Sequence, residues 1–228
     1  MIKILVDNKE IETEEGKSVL QACLDNGIYI PNLCYVEGMD RPPASCRLCF
    51  VEIDGEDRPT TSCTAKAREG MRVRTDTPAV RSLQRSAFEF LLSLHDVDCA
   101  HCPANKKCGL QDIARFLKVG LKPRRLEQYL KESVAGEKHP VLTYHPNRCV
   151  LCGRCIYVCG IEHGRPLLAF AKRGFDTTIT FYGAGDIPDI PCGECMRCAE
   201  VCPVGALTMA DPDITQDLQP HQKQRTGA

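Results

Sequence analysis

The stretch that decides the fold of this chain is CVLCGRCIYVC at residues 149–159, which returns as CGECMRCAEVC at residues 192–202. Both copies space their four cysteines as C-x2-C-x2-C-x3-C. An arginine precedes the third cysteine of each copy, and a valine precedes the fourth. A motif that occurs twice with other sequence between the copies predicts two halves related by a pseudo-two-fold axis.

This spacing predicts two [4Fe–4S] clusters within residues 148–210. It is the spacing of two-cluster bacterial ferredoxins, in which the first three cysteines bind one cluster and the fourth binds the other. The expected ligands are Cys149, Cys152, Cys155 and Cys202 for one cluster, and Cys192, Cys195, Cys198 and Cys159 for the other. Two zinc sites are the alternative, since zinc also takes four thiolates. Four cysteines so close together, twice over, would be an unusual zinc pattern.

The N-terminal residues 1–76 contain a second group of four cysteines in a different setting. The group is Cys34, Cys46, Cys49 and Cys63, spaced C-x11-C-x2-C-x13-C. Around it, alternating apolar residues from 2 to 6 predict a strand, and Ser18-x-x-Gln21 predicts a capping box that opens a short helix. Residues 50–53 predict a further strand. Two strands, a helix and more strands resemble a ubiquitin-like β-grasp, which favours a [2Fe–2S] cluster over zinc at these four thiols.

Residues 77–117 are predicted to be mostly helical. Thr77 is an N-cap and Pro78 stands at the first helical position, and this helix is expected to end near His95. A shorter helix is expected over residues 110–117. The apolar face expected for the first helix comprises Val80, Leu83, Ala87, Phe90, Leu91 and Leu94.

Three cysteines between these two helices leave the fourth ligand position of a cluster open. They are Cys99, Cys102 and Cys108. His95, at the end of the first helix, is the expected fourth ligand, and His101, which stands between two of the cysteines, is the rival. A zinc ion held by three thiolates and one imidazole is the competing interpretation. With His95 included, the four groups use every cysteine except Cys23, which we expect to be a buried hydrophobic residue.

The overall charge and the N-terminal sequence argue against a nucleic-acid-binding, membrane or secreted protein. Lys+Arg is 29 and Asp+Glu is 30, giving a net charge of −1, so there is no electrostatic case for nucleic acid or an anionic membrane as a partner. No apolar run approaches the roughly 18 residues of a membrane-spanning helix, and the N-terminus is unlike a signal peptide. We therefore expect a cytoplasmic protein, without direct membrane insertion, whose clustered cysteines bind metal rather than form disulfides.

The sequence as a whole predicts an α+β chain built from small units. We expect a β-grasp [2Fe–2S] domain (1–76), a small helical [4Fe–4S] segment with three cysteines and one histidine (77–117), and a two-cluster bacterial-ferredoxin-like domain (148–210). Residues 118–147 are expected to be a linker, in which Lys122, Arg124 and Arg125 form a solvated face. Residues 211–228 are expected to be a polar tail.

Two stretches resemble the N-terminal part of the large iron–sulfur subunit of respiratory complex I. One runs from Cys34 to Cys63 and includes SCRLC (45–49) and VEIDG (51–55), and the other joins HDVDC (95–99) to CGLQD (108–112). In that family the second stretch binds a [4Fe–4S] cluster through one histidine and three cysteines. The resemblance therefore implies that His95 completes the middle ligand set.

The C-terminal unit resembles a second family more closely than it resembles the complex I subunit. Its eight cysteines, with no molybdopterin-like domain after them, are more similar to the small diaphorase subunit of NAD-reducing, bidirectional [NiFe] hydrogenases. The N-terminal region of [FeFe] hydrogenases and the relay subunit of NAD-linked formate dehydrogenases are also similar. Gly160 stands where the second copy has Pro203, so the first copy of the motif is slightly irregular.

These resemblances imply an electron relay rather than a catalytic subunit. The sequence has no Rossmann glycine fingerprint and no evident nucleophile or open metal site, so we expect no catalytic residues. A partner flavoprotein with FMN would exchange hydride with NAD(H), and electrons would pass through one [2Fe–2S] and three [4Fe–4S] clusters to hydrogenase subunits, or the reverse way. A formate dehydrogenase, a complex I-like complex and an electron-bifurcating complex are alternative destinations. A zinc-binding scaffold protein is the alternative of another class.

Overall fold

The computed structural model describes residues 1–132, 139–182 and 192–210, so the predicted tail lies outside the described residues. Its N-terminal part is a five-stranded sheet with one helix packed on it. The elements are β1 (Ile2–Val6), β2 (Lys9–Thr13), α1 (Val19–Asp25), β3 (Phe50–Ile53), β4 (Thr60–Thr61) and β5 (Arg72–Arg74). The strand order is β2-β1-β5-β3-β4, with β1 and β5 parallel and the other neighbours antiparallel. This is the predicted β-grasp.

The first hairpin and α1 follow local sequence signals. Asp7 and Asn8 both adopt positive φ between β1 and β2, as a tight turn matched to strand twist requires. Ser18 Oγ accepts a hydrogen bond from the Gln21 N–H at 3.1 Å, so the predicted N-cap is confirmed. The Gln21 side chain does not close a capping box, because its amide donates to Asp25 one helical turn later and accepts from the Tyr35 hydroxyl.

Two helices follow the sheet. They are α2 (Pro78–Ser93) and α3 (Gly109–Leu117). Thr77 caps α2 by accepting from the Val80 N–H at 3.2 Å, as predicted. The predicted apolar face of α2 is partly wrong, since Leu83 and Phe90 are 37% and 62% exposed. Gln84 is fully buried in their place and donates to the Phe50 carbonyl at 3.2 Å, because the strand presents an acceptor there that an apolar side chain would leave unpaired.

The described residues of the C-terminal part, 139–182 and 192–210, form two small antiparallel strand pairs and three α-helices. The elements are β6 (Leu142–Tyr144), α4 (Arg154–His163), β7 (Leu168–Ala171), β8 (Thr178–Phe181), α5 (Cys192–Cys195), α6 (Arg197–Glu200) and β9 (Leu207–Met209). β6 pairs with β9, and β7 pairs with β8. In each cysteine motif a left-handed residue, Gly153 or Met196, immediately precedes the helix that carries the third cysteine. The two copies of the motif therefore share this local geometry.

The expected linker is exposed but held in place by specific contacts. The backbone N–H groups of Arg124 and Arg125 donate to one carboxylate oxygen of Glu89 on α2. The Tyr129 N–H donates to the Ser93 carbonyl at 2.7 Å. Residues 124–129 of the expected linker therefore run along the end of α2. Among the described residues, no helix is both long and apolar enough to cross a membrane.

Candidate iron–sulfur sites

All sixteen cysteines are free thiols, and fifteen of them fall into the four predicted groups. In the β-grasp unit the four thiols Cys34, Cys46, Cys49 and Cys63 are all buried. The sulfurs of Cys34 and Cys46 lie 3.4 Å apart, and the Cys49 and Cys63 thiols are close enough to shift each other's pKa. The connection between α1 and β3 makes this possible because Ala44 and Arg47 adopt positive φ and curl the chain around the sulfurs.

The electrostatics of this group suit a cation. The hydrogen bond that Cys34 shares with the Cys46 thiol lowers the pKa of Cys34 to about 6. The same bond raises the pKa of Cys46, and burial raises it further. A buried set of four sulfurs, with a thiolate already favoured at one of them, fits a soft metal centre.

The middle group lies around a short turn and the start of α3. Cys99 begins a 3-10 turn over residues 99–101, and Cys108 is the residue before α3. Burial raises the pKa of Cys108, and the nearby Cys102 and Cys99 thiols raise it further. The three thiols are therefore close enough to interact.

The two candidate histidines lie in different environments. His95 is 7% exposed, and its Nδ1 lies 2.9 Å from the Arg148 carbonyl oxygen. A carbonyl only accepts, so Nδ1 carries the proton and Nε2 keeps its lone pair for a metal. Burial lowers the pKa of His95, which favours this neutral form. His101 is 81% exposed at its side chain and pairs with the Asp98 carboxylate at 2.8 Å. The geometry thus suits His95 as a ligand better than His101.

The first C-terminal group surrounds one small cavity. Its lining contains the four thiols Cys149, Cys152, Cys155 and Cys202, together with apolar side chains. Two sulfurs accept backbone hydrogen bonds, Cys149 from the Leu151 N–H at 3.4 Å and Cys202 from the Ala206 N–H at 3.2 Å. Burial raises the pKa of Cys152 to about 12. A bound cation offsets such a penalty by stabilising the thiolate form.

The second C-terminal group joins α4 to the second motif. Its members are Cys159, Cys192, Cys195 and Cys198, of which all but Cys195 are buried. Burial raises the pKa of Cys198 to about 12, and the neighbouring Cys192 and Cys159 thiols add to the effect. Cys159 also accepts a hydrogen bond from the Leu167 N–H at 3.2 Å. The fourth cysteine of each motif therefore lies beside the other motif, in the crossed arrangement that the spacing predicts.

The groups are joined by a loop that follows Cys202. The Pro203 carbonyl accepts from the Gly109 N–H at 2.8 Å, and the Val204 carbonyl oxygen lies 4.0 Å from Cys102 Sγ. A Cβ at Gly205 would lie 2.8 Å from Cβ of Ala104. One hydrophobic core contains Cys34, Cys46, Cys108, Val204 and, at its edge, Cys149, Cys152 and Cys202. Three of the four groups therefore share a single core.

Within the described residues, no three His, Cys, Asp or Glu side chains converge as ligands of a single metal ion. The sequence reasoning missed two contacts to the groups. They are the Arg148 carbonyl that orients His95 and the Tyr144 side chain, which lines the same cavity as Cys149. Both residues stand within five positions before Cys149, but no local pattern marks them.

Comparison with known proteins finds iron–sulfur domains and oxidoreductase subunits that are similar to this chain. Residues 1–78 match a 2Fe-2S iron-sulfur cluster binding domain, and residues 84–121 match the NADH-ubiquinone oxidoreductase-G iron-sulfur binding region. The chain is 37% identical to a subunit of the NADH-quinone oxidoreductase of Rhizobium meliloti (strain 1021), over 91% of this chain and 24% of that protein. It is 32% identical to the NADH-ubiquinone oxidoreductase 75 kDa subunit of Reclinomonas americana, over 91% of this chain and 29% of that protein.

The chain spans less than a third of the length of these curated relatives. One solved structure, by contrast, aligns over most of this chain and most of its own chain. A chain in the crystal structure of NAD+-reducing [NiFe]-hydrogenase in the H2-reduced state aligns with a TM-score of 0.80 and 29% identity, over 92% of this chain and 88% of that chain. The resemblances to the complex I subunit and to NAD-reducing hydrogenase are thereby confirmed, as is the predicted combination of a [2Fe–2S] domain with a [4Fe–4S] region.

Proposed function

We propose that this chain is an iron–sulfur electron-transfer subunit that relays electrons between a flavoprotein subunit binding FMN and NAD(H) and a hydrogenase module. The observation that carries the proposal is the shared core that contacts three of the four thiol groups, with the fourth group beside them. Because electron tunnelling slows steeply with distance, a relay needs its centres held close together. Iron–sulfur clusters supply one-electron centres when bound.

The proposed ligand sets follow the four groups. One [2Fe–2S] cluster takes Cys34, Cys46, Cys49 and Cys63, and one [4Fe–4S] cluster takes His95, Cys99, Cys102 and Cys108. Two further [4Fe–4S] clusters take Cys149, Cys152, Cys155 and Cys202, and Cys192, Cys195, Cys198 and Cys159. The proposed domain limits are 1–76, 77–117 and 148–210, with 118–147 as the connection. The sixteen cysteines form no disulfide, which supports a reducing, cytoplasmic location.

The chain's own residues have three tasks in this relay. The buried thiols hold the centres, and apolar side chains such as Val204 and Leu207 keep water away from them. Backbone N–H groups of Leu151, Ala206 and Leu167 donate to ligand sulfurs. Burial and such hydrogen bonds are the means by which a protein sets the potential of a cluster.

The hydrogenase module is preferred over other destinations because a solved hydrogenase chain matches the fold of nearly all of this chain. It aligns with 92% of this chain at a TM-score of 0.80. A complex I-like assembly is the second candidate, since its subunits give the higher sequence identity. The two differ in what receives the electrons, not in what this chain does.

The test begins with the full chain purified without oxygen, in its complex. Elemental analysis, acid-labile sulfide and EPR of the reduced sample should give one [2Fe–2S] and three [4Fe–4S] clusters. Zinc in place of iron would refute the relay. Subunits that copurify then identify the destination: a nickel–iron pair supports the hydrogenase module, and a molybdenum or tungsten subunit contradicts it.

A further inference from the structure

A cavity of about 560 Å³ lies between helix α2, the end of α3 and the connection that follows α3. A smaller cavity of about 220 Å³ shares part of its lining, so the two form one continuous surface. The lining of the larger cavity includes Glu89 and six basic side chains, which are Arg81, Arg85, Lys118, Lys122, Arg124 and Arg125. The three basic residues expected to form a solvated face of the linker therefore meet three others at one concave site.

Little of this positive charge is neutralised by the protein. The Glu89 carboxylate is already engaged, since it accepts from two backbone N–H groups and from Arg125 Nε at 2.7 Å. Asp76 pairs with Arg81 Nε at 2.5 Å. Among the described residues, no carboxylate oxygen lies within 4.0 Å of the other four cations, which are Arg85, Lys118, Lys122 and Arg124. The cavity is therefore strongly positive in a chain whose overall charge is −1.

Arg81 is held in place at the wall that the two cavities share. Its guanidinium lies over the Phe116 ring, 4.1 Å from the ring centroid. Its Nη1 is buried and has no hydrogen-bond partner within the described part of the chain, so Asp76 uses only part of the charge of this group. Arg85 stands four residues later on α2, and like charges at that spacing repel each other. A bound anion would offset this repulsion.

We propose that this cavity binds a small molecule that carries a diphosphate group. Four cations without a counter-ion exceed what one phosphate neutralises, and planar guanidinium groups pair with phosphate oxygens through two parallel hydrogen bonds. The Ser86 hydroxyl accepts from Arg125 and keeps its own proton for a further oxygen. The volume of the cavity lies in the range of small-molecule sites, roughly 300–1,000 Å³. This inference goes beyond the electron relay and does not depend on it.

An acidic segment of a partner subunit is the alternative occupant. Its carboxylates would be spread along an extended chain, at about 3.4 Å per residue, whereas the cations surround a single cavity. The concave shape of the site therefore favours the small molecule.

The experiment is a calorimetric titration of the full chain with inorganic pyrophosphate, without oxygen and at low ionic strength. The wild type should bind one pyrophosphate. Arg85→Gln and Lys122→Gln should each weaken binding roughly tenfold, because each removes a charge-assisted hydrogen bond. Both side chains are exposed, so the variants should keep the wild-type circular dichroism spectrum. Arg165→Gln removes the same charge from an exposed residue outside the cavity and should leave binding unchanged.

Three outcomes would overturn the diphosphate site. The first is a wild type that shows no saturable binding of pyrophosphate. The second is an equal loss in Arg165→Gln, since binding would then follow the overall charge and not the cavity. The third is tighter binding of a hexaglutamate peptide than of pyrophosphate, lost in Arg85→Gln and Lys122→Gln, which would indicate an acidic protein segment as the occupant. The iron and sulfide content of the chain tests the relay separately from all three.

Discussion

Gly205 lies where the loop after Cys202 approaches the loop before α3. It adopts φ +63°, and a Cβ there would lie 2.8 Å from Cβ of Ala104, an atom fixed to the backbone. Gly205→Ala therefore adds left-handed strain of about 1–2 kcal/mol and overpacking of about 1–3 kcal/mol. We expect a total loss of stability of roughly 2–5 kcal/mol.

Gly164→Ala is the matched control. Gly164 also has positive φ, at +70°, but nothing lies within 4 Å of the position its Cβ would take. This variant should carry the strain alone, about 1–2 kcal/mol. For a chain of this length each kcal/mol lowers the melting temperature by about 2–4 °C, so Gly205→Ala should melt well below Gly164→Ala.

The assay is the apparent melting temperature by circular dichroism, at one heating rate and without oxygen. Ala104→Gly added to Gly205→Ala removes the clashing atom and should recover the melting temperature toward that of Gly164→Ala. Equal losses in the two single variants, or no recovery in the double variant, would refute the close contact between the two loops.

Three further predictions address single side chains. His95→Ala should lose or convert one [4Fe–4S] cluster in EPR, whereas His101→Ala should leave the spectrum unchanged; the reverse result would make His101 the ligand. Cys23→Ser should keep all four clusters and lower stability by about 1–3 kcal/mol, because it buries an unpaired hydroxyl; a lost cluster would contradict this. Glu89→Gln should speed hydrogen exchange at the backbone amide of Arg125, which donates to Glu89 in the wild type. An unchanged exchange rate would refute this contact. In the wild type the hydrogen bonds from Arg125 lower the pKa of Glu89, so the contact should persist as the pH falls through the ordinary carboxyl range and fail only below that lowered pKa.

Local spacing in the sequence was enough to predict several features of the fold and the candidate site. The motifs that contain Cys149 and Cys192, the N-cap at Ser18 and the N-cap at Thr77 are each specified within a few residues. These features depend on short-range geometry and thiol chemistry, so a single sequence is enough to infer them.

The sequence could not predict what depends on contacts between distant segments. Gln84 faces inward because the Phe50 carbonyl needs a donor, and hydrophobic periodicity favoured Leu83 and Phe90 instead. The contact of Gly109 with Pro203 joins two segments that have no common pattern. Tyr144 was missed for the same reason, since its partners on β8 lie more than thirty positions away.

The loop at residues 203–205 also limits how this protein can be recombined with its relatives. The loop ends one cysteine motif and at the same time satisfies the first amide of α3. An exchange of the C-terminal segment between homologues, with the crossover placed in 118–147, would combine this loop from one homologue with residues 102–109 of another. Chimeras should therefore inherit residues 102–109 and 203–205 from the same parent.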